Sequence, residues 1–142
     1  MIDALTQEII CECLTTNDIH DTVPVPKMLD EQKTPVGRFY GDGIFDTWNT
    51  YDALADRGIE PVIPPQRNAV LTRHGNSKLP KLPRDEAIRG CRKQGRKAWK
   101  AKVGYHRRSL AGTAMFRLKT IFGGRLKNRA ITESKNGIPN PM

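Results

Sequence analysis

The chain has 142 residues, 37% of them apolar, with 24 Lys/Arg against 15 Asp/Glu and a formal net charge of +9. That length allows one domain with a modest core, and apolar runs such as "EIICECL" and "IEPVIPP" recurring between turn signals argue against full disorder. No apolar run approaches the ~18 residues of a membrane span, and "MIDALTQEII" lacks the basic-then-apolar order of a signal peptide, so neither a membrane nor a secretory partner is expected.

The positive charge is segregated. Residues 1–66 hold 4 Lys/Arg and 12 Asp/Glu, a balance of −8, whereas residues 67–142 hold 20 Lys/Arg and 3 Asp/Glu, a balance of +17. A basic block of that density is the electrostatic footprint of a polyanion binder, and a solvated basic face is the plainer alternative. Cys11, Cys13 and Cys91 lack zinc spacing. Their odd number points to a reducing cytoplasm.

In chain order, "QEIICECLT" (7–15) reads as a strand, which would place Cys11 and Cys13 together on a core face. "TNDIHDTVPVP" is turn and proline-broken chain, and "VPKMLDEQ" a short helix. "TPVGRFYGDGIFD" (34–46) gives a short strand entering the glycine-flanked Asp42. "DTWNTYDALADRG" then gives a helix. Asp46 or Thr47 caps it, Asp46 being assigned the cap; Trp48, Tyr51, Leu54 and Ala55 form its stripe; Gly58 stops it. "IEPVIPP" (59–65) is a second strand. Strand–helix–strand implies a parallel pair joined by a right-handed crossover, hence an α/β fold. Residues 66–83 form a basic loop. Basic helices follow over 84–122, the second running from about Tyr105 to Phe122 and ending at Gly123-Gly124, and residues 129–142 form a tail.

Two constellations bear on chemistry. Asp42, at the carboxyl end of a strand, lies where open α/β sheets place ligands, and its carboxylate suits a divalent cation. Gly-Asp-Gly is equally ordinary turn chemistry. In the last helix, at about 100° per residue, Tyr105, Arg108, Gly112 and Lys119 fall on one narrow face, with Leu110, Ala114, Leu118 and Ile121 opposite, toward the sheet. A stripe of Tyr, Arg and Lys suits phosphate contacts or a plain solvated face. Glycine at position 112 costs a helix about 1 kcal/mol relative to alanine.

The stretches "YGDGIFDTWNTYDALADRGIEPVIPPQRNA" and "GRKAWKAKVGYHRRSLAGTAMFRLKTIFGGRL" resemble the carboxyl-terminal half of bacterial insertion-sequence transposases of the Asp-Asp-Glu type, insertion-sequence-five group, over about residues 2–130. The resemblance implies a ribonuclease H-like fold, here a partial one over residues 1–128. It also implies three carboxylates holding two Mg²⁺ ions for DNA cleavage and strand transfer, with DNA as the partner. Asp42 matches the second carboxylate of the triad. In the family signature Tyr-x2-Arg-x3-Glu-x6-Lys, Tyr105, Arg108 and Lys119 match, but the glutamate position is Gly112. The first carboxylate would lie on a strand upstream of this chain. The resemblance therefore leads us to expect a truncated transposase fragment that is catalytically inactive and binds Mg²⁺ poorly. The alternatives are a non-catalytic DNA-binding regulator competing with full-length transposase, or an unfolded pseudogene product.

Overall fold

In a computed structural model, which describes residues 1–123, the expected parallel strand–helix–strand unit is present. The expected tail over 129–142 and its boundary lie outside the described residues. Helix α1 (Val25–Asp30) precedes strand β1 (Arg38–Tyr40); a 3₁₀ turn (Gly43–Phe45) leads into helix α2 (Trp48–Ala55); strand β2 (Glu60–Val62) follows. The strands pair in parallel, Arg38 opposite Glu60 and Tyr40 opposite Val62. Helices α3 (Pro83–Gln94) and α4 (Arg96–Lys102), a second 3₁₀ turn (Tyr105–Arg108) and helix α5 (Ser109–Phe122) complete the described chain. No helix among the described residues is long and apolar enough to cross a membrane.

Local chemistry explains the boundaries. The Thr47 hydroxyl accepts from the Thr50 amide and so caps α2. Gly58, at φ 64°, takes the left-handed conformation that ends the helix and turns the chain toward β2. Pro83 opens α3, with Asp85 and Glu86 in the first turn, where the helix dipole favours acids.

The core gathers between α1, α2 and the sheet. Val25 and Leu29 of α1 meet Tyr51 and Leu54 of α2, with Ile59 and Ile63 flanking β2 and Phe39 packing from β1. On α2 the buried positions are Thr50, Tyr51, Ala53 and Leu54. Trp48 and Ala55, expected in the stripe, are exposed instead. A second packing unit joins α3 to α4. There a Cβ on Gly90 would lie 2.5 Å from Trp99 Cδ1, so only glycine lets the buried indole sit against α3.

Three expectations are corrected. Residues 7–15 form no strand; an isolated antiparallel bridge joins Ile2 to Ile9, and the Met1 ammonium donates to the Cys11 carbonyl. Cys13 is exposed and Cys11 half-buried, so the pair is not core, and all three cysteines are free. The helix expected from Tyr105 to Phe122 begins as a 3₁₀ turn, which advances about 120° per residue rather than 100°, so the single face drawn through its residues is broken near Arg108. Within α5 only Ala114 of the apolar side is fully buried; Leu110 and Leu118 are half-buried and Ile121 is exposed.

Tyr51 gives the fold a pH signature. Burial pushes its phenol well up from the ordinary tyrosine value, the Asp46 charge adds to this, and Arg84 opposes it. A tyrosine in the unfolded chain ionises near pH 10 while the folded one keeps its proton, so stability falls as pH rises above about 10. Tyr51→Phe is expected to flatten this alkaline loss while leaving thermal melting near pH 7 close to wild type. A melting series from pH 7 to pH 11 measures it; identical alkaline limbs would contradict the assignment.

Candidate functional site

Asp42 stands where β1 ends. Gly41 passes beneath an edge-to-face pair of Phe39 and Phe45, ring centroids 5.6 Å apart, and a Cβ there would lie 2.9 Å from the Phe39 ring. The missing side chain at 41 thus lets the chain bend so that Asp42 leaves the sheet. Its Oδ1 accepts from the Ile44 amide at 3.1 Å and caps the 3₁₀ turn, as the turn reading of Gly-Asp-Gly foresees. Its Oδ2 accepts from Arg108 Nη2 at 2.7 Å.

The second element comes from the far end of the chain. Gly104, at φ 70°, reverses the chain after α4 and starts the turn carrying Tyr105 and Arg108. Tyr105 is half-buried beneath the Lys100 ammonium, 4.8 Å from its ring centroid, a cation–π contact. Burial raises the Tyr105 phenol above its ordinary value; Arg108 and Arg96 oppose this and Asp42 reinforces it. The hydroxyl is therefore protonated at neutral pH. Asp42 and Arg108 line a cavity of about 530 Å³ together with the N-terminal segment, β1 and the start of α5; Tyr105 does not line it, though its phenol feels both charges.

The remaining sequence-derived positions do not join it. Gly112 is exposed on α5, one turn beyond Arg108, and a Cβ there meets nothing within 4 Å. A glutamate would fit. Lys119 is exposed two further turns along and does not line the cavity. Asp46, read as a helix cap, is instead a buried ion-pair partner. It takes Arg84 Nε at 2.7 Å and the Gln66 amide at 2.8 Å, while its side chain is 0% exposed.

A two-metal centre needs several carboxylates converging with free oxygens. The donors do not fit one. Both Asp42 oxygens are engaged, one by a cation, and among the described residues no three His, Cys, Asp or Glu side chains are grouped to hold a metal ion.

Sequence reading missed a further set of contacts. The segment 65–73 lies against α3 and the start of α4, clasped by arginines. Arg96 donates to the Pro65 carbonyl at 2.7 Å, Arg92 to Ala69 at 3.3 Å, Arg84 to Val70 at 3.2 Å, and Arg89 to Arg73. From the helix start, the fully buried Asp85 accepts the Thr72 and Arg73 amides at 2.9 Å and 2.7 Å. Arg73 itself reaches back to the Pro80 carbonyl and closes the loop. The only advance signal was the unusual arginine density facing a proline-rich loop.

An α/β unit with a carboxylate at its strand end is thus joined to a strongly basic helical half. A family comparison makes this specific: the model of the transposase DDE domain matches residues 1–137. The chain belongs to that family, whose members act in DNA transposition and generally use divalent metal. No solved structure matches it.

Proposed function

We propose that the chain is a transposase-family protein of the insertion-sequence-five group that binds DNA without cutting it, on a ribonuclease H-like scaffold. One observation carries the reading: the Asp42 carboxylate is held by Arg108, and the position one turn beyond Arg108, where the family signature has glutamate, is Gly112. Among the described residues no further carboxylates are grouped with Asp42 to hold a metal ion, and a single carboxylate does not fix two Mg²⁺ ions on a scissile phosphate. The basic half, with 20 Lys/Arg against 3 Asp/Glu, supports DNA as the partner. In this reading Tyr105, Arg108 and Lys119 contribute phosphate-facing groups, and the chain competes with active transposase for element DNA.

Such binding is independent of metal. At matched ionic strength, affinity for a short duplex is expected to be the same in EDTA as in Mg²⁺, and to fall steeply with salt as phosphate neutralisation releases counterions. Fluorescence anisotropy measures both. Binding that needs Mg²⁺ and disappears in Asp42→Asn would overturn the proposal.

A further inference from the structure

We propose that four further side chains, Lys78, Lys81, Lys93 and Lys97, make phosphate contacts to duplex DNA in addition to Tyr105, Arg108 and Lys119, on a loop-and-helix unit that the arginines hold in shape. The inference rests on the DNA-binding reading above and adds which side chains carry it.

The two basic residue types play different parts here. Arg73, Arg84, Arg89 and Arg96 are half-buried and spend their guanidinium donors inside the molecule, on the carbonyls of Pro80, Val70, Arg73 and Pro65 and, for Arg84 and Arg89, on Asp46 and Glu86 as well. An arginine that turned outward to grip a phosphate would give up its contact with the loop backbone and loosen the loop. A guanidinium's fixed fork suits the structural task, whereas an ammonium is a point charge that needs no set geometry.

The four lysines are all exposed, and among the described residues none is paired with a carboxylate. Lys78 lies on the loop that Arg73 closes through Pro80, and Lys81 directly follows it. Lys93 and Lys97 each follow a clasping arginine, Arg92 or Arg96, by one position, so they are turned about 100° away from the loop-facing side of their helices. The clasp thus fixes where the cations stand without using them.

The partner's chemistry follows from what is absent. Between Gln66 and Lys97 the sequence has no Phe, Tyr or Trp. Single strands are gripped by stacking bases on aromatic rings as well as by charge. A surface of ammonium groups with no aromatic platform fits the backbone of a duplex and reads no sequence.

The test uses the full chain and a fluorescent 20-base-pair duplex, with anisotropy titrations between 50 and 200 mM KCl. Replacing all four lysines by alanine is expected to make the slope of log affinity against log salt shallower by about 3 to 4, at about 0.9 per phosphate contact, and to weaken binding at least tenfold at 100 mM. Replacing all four by arginine is expected to keep the slope. Arg96→Ala is expected to keep it too, while thermolysin cuts the loop faster near Val70, Leu71 or Leu79. A wild-type slope in the alanine variant, an equal loss in Arg96→Ala, or tighter binding to a 20-nucleotide single strand overturns this assignment alone. Failure of the unaltered chain to bind duplex in a salt-dependent way overturns the DNA-binding reading and this assignment with it.

Discussion

Arg84→Met is expected to cost about 3–5 kcal/mol of folding stability, because it leaves the Asp46 carboxylate charged and buried with one remaining donor. Asp46 has 0% side-chain exposure and Arg84 14%, so water does not replace the lost partner. The Gln66 amide at 2.8 Å remains and does not neutralise the charge. The pair also joins the end of the first 3₁₀ turn to the first turn of α3, and Arg84 lies 5.3 Å from the Trp48 ring centroid. Its loss therefore loosens the junction between the sheet unit and the basic half. Asp46→Ala is expected to cost a similar amount, while the double variant recovers part of the loss, since two absent charges are cheaper than one stranded charge. Urea unfolding measures all three. Single variants within about 1 kcal/mol of wild type would show that the pair does not hold the junction.

The contrast with Asp42 leads to the second large effect. Its ion pair with Arg108 is partly exposed, 32% for the acid and 42% for the base, so solvent screens it and the pair contributes about 0–1 kcal/mol. Asp42→Asn is thus a mild change in stability and a clean probe of metal binding. A ligand at 100 times its dissociation constant stabilises by about 2.7 kcal/mol, several degrees in melting temperature for a chain of this size. Here 10 mM Mg²⁺ or Mn²⁺ is expected to shift wild type no more than it shifts Asp42→Asn. Gly112→Glu alone is expected to leave that result unchanged. A carboxylate four positions after Arg108 is placed to pair with the guanidinium on the helix surface, and one added acid still does not complete a three-carboxylate site. A melting shift of several degrees in wild type that Asp42→Asn abolishes would contradict this.

Which features were readable from sequence depends on whether their cause is local. Thr47 and Gly58 act within one turn of themselves, so the limits of α2 and the parallel strand pair around it were evident. Residues 7–15 have the alternation of a strand, but a strand needs a ladder, and only Ile9 finds a bridge partner. Gln7 turns the chain there, at φ 61°. The stripe through Tyr105, Gly112 and Lys119 assumed a uniform helical period, which the 3₁₀ turn after Gly104 breaks. Asp46 looked like a cap because its real partner, Arg84, is 38 positions away. The arginine clasp is likewise a tertiary fact, invisible to any window of a few residues. The place of Asp42 just after β1 is legible in the sequence, but its pairing with Arg108, 66 positions on, emerges only from the fold.

The central claim is that this transposase-family chain holds DNA and does not cut it. The direct test incubates the full chain with end-labelled duplex and Mg²⁺ or Mn²⁺, then resolves the same samples on native and denaturing gels. The predicted result is a retarded complex on the native gel and strands of unchanged length on the denaturing gel. Metal-dependent nicked products that disappear in Asp42→Ala would contradict it.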